Sequence, residues 1–329
     1  MKITSLRHVR GFDVARPVSI GVMIGIMLPL VILPLLSIFV VGTRNGLGNF
    51  WAALVAPEAI FALKLSVVTS FWATVFNVIF GLFAAYVLSR YDFWGRNAAI
   101  VTISLPTAIP TAVAGFALLL LWGPKGTLGR FLFPPEGEQL MFTPYAIILA
   151  NIFVTFPLAF GVIKPVLDTM SRSLEEASAT IGASRLQTFW YVTLPSLRGA
   201  IVSGALLTFA RSVGEFGSTI LVSGNLAGRT QTAPLYIYAK FNSGEVGSLE
   251  AANAIAIVLA LLSFVIFSVL FFARDWLDIE GQESALIAPA RTQKSIQRSS
   301  CFRSSMRSCA RARPRAQISP TVTNNSPRS

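Results

Sequence analysis

Long apolar stretches separated by short polar segments dominate the chain. Six of them reach the roughly 20 residues that a helix needs to cross the hydrocarbon core of a membrane. These stretches are 18–42, 61–88, 98–122, 144–166, 199–222 and 251–273. Because they are continuous and do not alternate over about ten residues, they indicate helices and not barrel strands. The pattern predicts an all-α integral membrane protein with six transmembrane helices.

Composition supports this prediction and removes several kinds of chemistry. Of the 329 residues, 53% are hydrophobic and only 13% are charged, whereas about a quarter are charged in soluble domains. Both cysteines, Cys301 and Cys309, lie near the carboxyl terminus, and His8 is the chain's one histidine. These counts exclude a catalytic Ser-His-Asp or Cys-His system and a Cys- or His-based metal site in the apolar part. No phosphate-loop motif occurs, so we expect no catalytic residue, no metal and no cofactor.

The distribution of basic residues predicts the orientation. With the amino terminus inside, eleven Lys and Arg of the short connecting segments face the cytoplasm and six face outside, as the positive-inside rule favours. We therefore expect a cytoplasmic tail at 1–17, a six-helix domain at 18–275, and both termini in the cytoplasm. The first apolar run is about 25 residues long, which exceeds a signal peptide's usual 7 to 15, so it is predicted to stay as a helix.

The carboxyl-terminal tail at 276–329 has a different composition. From residue 284 it carries nine Lys and Arg but no Asp or Glu, which leaves +3 of the formal +12 for the rest of the chain. Its Ser-, Arg- and Pro-rich sequence predicts disorder, and its charge predicts attraction to anionic lipid. It shows no nucleic-acid-binding module. Our leading hypothesis is an out-of-frame or fortuitous extension.

One polar segment interrupts the apolar pattern between the fourth and fifth spans. It reads EEASATIGASRLQTFWYVTLP at 175–195, and connections this long usually have a function. Ser173 is predicted to cap a helix that begins at Leu174, with Glu176 completing a capping box. Gly182 offers a turn or a close approach, and Pro195 suits the start of the next helix. An amphipathic linker in the membrane interface explains the same pattern.

The spacing of this segment resembles the EAA loop of ATP-binding-cassette (ABC) importer permeases. The family pattern is Glu-Ala-Ala, three residues, Gly, nine residues and Ile-x-Leu-Pro. The chain matches it at Glu176, Ala177, Gly182, Leu194 and Pro195, with Ser178 for the second Ala and Val192 for the Ile. The resemblance implies a type I importer permease with the MetI-like fold, whose loop at 174–195 forms a coupling helix that docks on a separate ATPase.

Three further stretches resemble the sulfate and molybdate permeases of this class. The run FARSVGEFGS at 209–218 is similar to their fifth helix, and FNVIFGLFAAYVLSRYDFWGR at 76–96 is similar to the sulfate branch. The run GRTQTAPLYIY at 228–238 is closer to the molybdate branch. The resemblance implies import of a tetrahedral oxyanion, with sulfate or thiosulfate favoured and molybdate or tungstate as the alternative. It also implies a dimer of ABC ATPases, a second permease subunit and an external or periplasmic oxyanion-binding protein at a bacterial inner membrane.

Polar residues inside the spans are the candidates for the anion pathway. Arg211 and Glu215 are four residues apart on one predicted helix, so their side chains share a face. A charge in a span must face protein or water, which fits either an ion pair that fixes packing or a station for a dianion with its counter-charge. Thr107, Thr111 and Ser218 are the other candidates. Pro106 and Pro110 beside the threonines predict a kink, and a kinked packing helix explains these threonines equally well.

Two other classes of function remain open from the residues alone. An ion-coupled secondary transporter would show an inverted repeat and broken helices, and no convincing repeat is present. A membrane anchor or sensor subunit would use the polar loop for docking without transport.

Overall fold

The computed structural model describes residues 15–44, 46–132 and 139–287. Most of these residues are in helices that short connections join, and none of them forms a strand. The predictions for residues 1–14 and for the tail from 288 onward lie outside the described residues. Residue contacts divide the chain after Arg274 into two compact units.

The helices follow one another with short connections. They are α1 (Ala15–Thr43), α2 (Leu47–Leu54), α3 (Pro57–Arg90), α4 (Arg96–Ala108), α5 (Thr111–Trp122), α6 (Gly129–Leu132), α7 (Pro144–Thr169), α8 (Arg172–Thr180), α9 (Arg185–Thr188), α10 (Leu194–Ser196), α11 (Arg198–Val213), α12 (Gly217–Ser223), α13 (Ala233–Ser243) and α14 (Ser248–Ile287). A π-helical turn, Phe189–Thr193, joins α9 to α10.

The predicted spans correspond to four continuous helices and two bent pairs. Within the described residues α1, α3, α7 and α14 are long and apolar enough to cross a membrane, and the count reaches six when each bent pair forms one span. The third predicted span is such a pair, because α4 and α5 meet at 111°. Ile109 is extended between them, as expected for a residue before a proline, and Pro110 cannot donate a helical hydrogen bond. The predicted kink is therefore a sharp turn.

The fifth predicted span, 199–222, is wrong as one continuous helix. Helix α11 ends at Val213, and α12 begins only at Gly217. A second bend of 66° separates α11 from the helical segment Arg185–Ser196 that precedes it. Gly214, between α11 and α12, has a low helix propensity. The side chain of Glu215 accepts a hydrogen bond from the amide of Ser218 at the start of α12. The residues at the break thus favour a helix end over a continuous span.

The core of the bundle is the packing of α3, α7 and α11 against one another. Alanines and glycine line the buried face of α3, and an added Cβ at Gly81 would lie 3.4 Å from Ala159 on α7. Small residues let helix backbones approach closely in a membrane, where packing replaces the hydrophobic effect as the driving force. Asn77 of α3 adds a hydrogen bond of 2.8 Å to Thr155 of α7. This polar contact joins the two helices within their buried interface.

Helices α5 and α12 cross where each carries a glycine. A Cβ added to Gly115 would lie 2.6 Å from the carbonyl oxygen of Ser218, and one added to Gly217 would overlap the Thr111 hydroxyl. Ser218 and Val222 are buried in this region. The two short helices therefore depend on glycine at both points of contact.

We expect Gly115→Ala to destabilise the bundle, because its new methyl group meets backbone atoms that cannot rotate away. Overpacking of this kind costs about 1 to 3 kcal/mol, and thermal unfolding of the purified protein in detergent measures it. Gly161→Ala on α7 is the matched control, since nothing lies within 4 Å of its added Cβ. Equal melting temperatures for the two variants would contradict the close crossing.

Candidate functional site

The polar segment between α7 and α11 begins with a capped helix, but the cap differs from the predicted one. Ser171 is extended, and its hydroxyl accepts a hydrogen bond from the amide of Ser173 at 3.3 Å. Helix α8 therefore starts at Arg172, two residues earlier than predicted, and Ser173 is inside it. Glu176 is then the fifth helical residue, too far along to bond back to the cap. The predicted capping box at Ser173 is wrong.

A capping box does occur one helix later. The amide of Gln187 donates to the Ser184 hydroxyl, and the Gln187 side chain accepts from the Ser184 amide at 2.8 Å. Gly182 provides the turn between α8 and α9, because its φ of +88° is one that L-residues rarely adopt. No atom lies within 4 Å of a Cβ added there. Of the two interpretations of Gly182, the structure favours the turn.

A pair of buried hydroxyls joins helices α8 and α9 of this segment. The side chains of Ser178 on α8 and Thr188 on α9 lie 2.7 Å apart and are both buried. Ser178 also donates to the carbonyl of Glu175. The serine that replaces the second alanine of the EAA pattern thus has a hydrogen-bonding role inside the loop.

The opposite face of the segment is exposed and partly apolar. Glu176, Ala177 and Gly182 are exposed, as is Pro195, while Leu194 is half-buried. Large apolar side chains stand beside them, with Ile181 at 85% exposure and Leu186 at 68%. Contiguous exposed apolar residues rimmed by polar ones are typical of interaction surfaces. We call Glu176, Ala177, Ile181, Gly182 and Leu186 the docking face.

We call the stretch 189–196, which leads from α9 to α11, the return arm. It contains a π-helical turn that sets the direction of Thr193. The amide of Leu194 donates to the carbonyl of Phe189, five residues earlier, and Pro195 next to it has no amide hydrogen to continue an α-helix. Such a turn rotates the residues after it relative to an α-helix. Thr193 is almost fully buried as a result and reaches Glu175 on α8, with 3.2 Å between its hydroxyl and Oε1.

Glu175, which precedes the motif glutamate and is not among the predicted site residues, makes several contacts of its own. Its Oε1 accepts hydrogen bonds from Nε and Nη2 of Arg90 at 3.0 and 2.8 Å. The Arg90 side chain is 9% exposed and the Glu175 side chain 19%. Arg90 ends α3, 85 residues earlier, so no local spacing marks the pair. The one sequence feature at this point is a second glutamate, Glu175, directly before Glu176 of the EAA pattern.

The second candidate group lies at the break between α11 and α12. Oε2 of Glu215 is 2.6 Å from Nη1 of Arg211, and Oε1 accepts from the amide and the hydroxyl of Ser218 at 2.9 and 3.0 Å. The Glu215 side chain is 1% exposed, whereas that of Arg211 is 40% exposed. The carboxylate therefore has a structural position at the start of α12, while part of the guanidinium faces outward.

The remaining pathway candidates are only partly brought together. Ser218 binds Glu215, and Thr111 lies against Gly217 where α5 crosses α12. Thr107 is exposed and donates to the carbonyl of Ser104 in its own helix at 2.7 Å. The structure thus groups Arg211, Glu215, Ser218 and Thr111, and it shows no contact of Thr107 with them.

The structured polar loop at one end of the bundle of membrane helices is the feature expected of a permease subunit of an ABC importer. The family model for the binding-protein-dependent transport system inner membrane component matches residues 77–279. The chain belongs to this family. It is therefore a multi-pass membrane protein and a transport subunit, not an enzyme, and membership excludes the ion-coupled secondary transporter.

Curated relatives cover most of the chain. The sulfate transport system permease protein CysT of Salmonella typhimurium is 33% identical over 82% of this chain and 95% of its own length. The probable CysT of Chlorella vulgaris is 38% identical over 64% of this chain and 79% of its own. The sulfate permease CysW of a Synechocystis species is 37% identical over 71% and 83%.

A solved structure shares the fold. A chain of a bacterial ABC transporter involved in the import of alginate aligns with a TM-score of 0.62, at 18% identity, over 81% of this chain and 97% of that chain. The predicted type I importer permease fold, MetI-like, is confirmed.

We expect Arg211→Ala to lower the stability of the folded protein, because it leaves the buried Oε2 of Glu215 without its cation. Stranding a buried polar or charged group costs about 1 to 3 kcal/mol. The double variant Arg211→Ala/Glu215→Gln keeps an acceptor for Ser218 and removes the charge, so its melting temperature should recover most of the loss. A double variant no more stable than Arg211→Ala would contradict the pairing. Uptake that stays low in a stable double variant would favour contact of Arg211 with the transported anion.

Proposed function

We propose that the chain is the membrane-spanning subunit of an ATP-driven importer of a tetrahedral oxyanion, with sulfate or thiosulfate as the favoured substrate. The observation that carries this proposal is the agreement among the curated relatives. Sulfate permeases from a bacterium, a cyanobacterium and a green alga each match most of the chain at 33 to 38% identity. Molybdate or tungstate is the alternative substrate, supported by the resemblance of 228–238 to molybdate permeases.

The proposed assembly contains this chain, a second permease subunit, a dimer of ABC ATPases and an external or periplasmic oxyanion-binding protein. A transporter chain of the same fold has been solved in complex with a periplasmic protein bound to an alginate pentasaccharide, which supports a binding protein here. Nearly all residues of α1 between 18 and 41 are exposed in the single chain. Such a surface fits lipid and a second permease subunit.

The docking face is the proposed contact with the ATPase. Its exposed glutamate, its glycine turn and its apolar side chains lie on the outer side of a loop whose inner side is hydrogen-bonded. Closure of the ATPases on ATP would push on this loop and switch the bundle from inward to outward facing. In this orientation the loop and both termini are on the cytoplasmic side of the inner membrane.

The break between α11 and α12 is the proposed station on the anion pathway. A partly exposed guanidinium in a membrane span must face water or protein, and a transported dianion supplies a partner of the right charge. The adjacent Glu215 limits how tightly an anion binds, as release requires. The half-buried Thr111 hydroxyl lies against Gly217 at the start of α12, and the buried Ser218 hydroxyl holds Glu215 in place behind this position.

Transport assays with the assembled complex test the substrate and the energy source. In proteoliposomes that contain the native ATPases and binding protein, we expect labelled sulfate uptake to require ATP and to be competed by excess unlabelled sulfate and thiosulfate. Uptake driven by a proton or sodium gradient without ATP would contradict the proposal. Stronger competition by molybdate than by sulfate would assign the complex to the alternative substrate.

Substitutions on the docking face test the coupling. We expect Glu176→Lys and Gly182→Asp to reduce uptake to a small fraction of wild type at normal membrane levels, because they place a wrong charge where the ATPase binds. Glu245→Lys reverses an exposed charge in the turn before α14 and is the matched control. Wild-type uptake in both docking-face variants would contradict the assignment of this surface.

A further inference from the structure

Four side chains hold α8 to the rest of the protein, and we call them the arginine clamp: Arg90, Arg172, Glu175 and Thr193. Arg90 gives two hydrogen bonds to Oε1 of Glu175 and a third, at 3.4 Å, to the carbonyl oxygen of Leu167 on α7. Thr193 on the return arm donates to the same Oε1. One carboxylate oxygen thus receives donors from α3 and from the π-helical turn.

Arg172 completes the arrangement in the reverse direction. It lies on α8 and donates from Nη2 to the carbonyl oxygen of Ser89 on α3, at 3.3 Å. An arginine of each helix therefore binds an acceptor on the other. The clamp connects α3, α7, α8 and the return arm through side chains from three of them.

Helix α8 has little else to hold it in place. Its one buried residue is Ser178, and its main packing partners, α9 and the π-helical turn, belong to the same loop. The apolar cluster at this end of the bundle, which includes Leu88, Phe160 and Leu197, contains no α8 residue. Polar bonds therefore replace apolar packing as the attachment of α8 to the bundle.

The burial of the pair makes these bonds effective. Exposed ion pairs contribute about 0 to 1 kcal/mol because water competes for both groups. Arg90 and Glu175 are mostly shielded, and their bonds are charge-assisted, which makes them shorter and stronger than neutral ones. Arg96 and Asp92 form a nearby pair at 3.1 Å with exposures of 32% and 88%. Asp92 lies in the connection before α4 and Arg96 is the first residue of α4, so that pair joins no two helices.

We propose that the arginine clamp makes α8 and the end of α3 move as one body, with Arg90 and Glu175 as positioning residues for the docking face. Glu176 follows Glu175 directly and lies about 100° further round α8, where it is exposed, so the contacts of Glu175 fix the direction in which Glu176 points. A push on the docking face then passes into α3, which packs along α7 and α11 in the core. This inference rests on the proposed docking of an ATPase at that face.

Hydrogen exchange of the full-length permease in lipid nanodiscs tests the clamp without any partner. We expect Arg90→Gln and Glu175→Gln each to raise amide exchange in residues 172–180 by about tenfold, the effect of losing one strong bond. The double variant should show no more than either single variant, because both remove the same interaction. Arg90→Lys should be intermediate, since lysine keeps the charge but loses the planar fork. Asp92→Asn is the matched control and should leave exchange unchanged.

Two results would overturn the clamp. One is wild-type amide exchange in residues 172–180 of the single variants. The other is an increase in the double variant that equals the product of the two single increases. The assembled complex gives a second measurement, the number of ATP molecules hydrolysed per anion imported. A positioning role predicts that this ratio rises several-fold in Arg90→Gln at normal complex assembly, whereas a wild-type ratio there would refute the link to coupling. Absence of ATP-dependent uptake by the wild-type complex would refute the proposed function, while the exchange measurement would still decide on the clamp.

Discussion

Backbone amides and carbonyls find no water in the hydrocarbon core, so each interruption of a membrane helix must be satisfied inside the protein. Two interruptions, at Ile109–Pro110 and at 214–216, shape this bundle. The helices that follow them, α5 and α12, pack on each other through Gly115 and Gly217, so each break is covered by the other. Glu215 satisfies the start of α12 with its side chain. The buried carboxylate of Glu215 is in turn paired with the guanidinium of Arg211.

The same constraint has the opposite consequence at the polar loop. Outside the hydrocarbon core water competes for every polar group, so hydrogen bonds organise a segment only where they are shielded. The loop meets this condition on one side, where Ser178, Thr188 and Thr193 are buried. On the other side it leaves apolar residues such as Ile181 and Leu186 in the open. Buried polar groups and exposed apolar side chains give no advantage to a loop that only connects two helices. They are expected in a loop whose exposed apolar side chains bind a partner protein.

Sequence patterns predicted the features that depend on local composition or short spacing. The six apolar spans, the Arg211–Glu215 pair at one helical turn and the glycine turn at 182 belong to this group. The break after Val213 was missed because the apolar pattern continues across it. The position of the α8 cap was missed because Ser171 and Ser173 are equally good caps by residue type, and the end of α7 decides between them. The contact between Arg90 and Glu175 joins residues 85 positions apart, and spacing rules for single helices do not reach over such a distance.

Two shielded carboxylates, Glu175 on α8 and Glu215 after α11, show how the same chemistry has different consequences at two places in the bundle. Glu215 is bonded within its own segment, so its loss affects one helix start and one arginine. Glu175 is bonded to two other segments, so its loss removes the contacts of α8 with both Arg90 and Thr193. Since α11 runs about 24 Å between the loop and the break, a displacement of the loop reaches the Arg211 region through helices that are already packed side by side. No separate relay is needed, because α3 and α11 both contact α7 along the core.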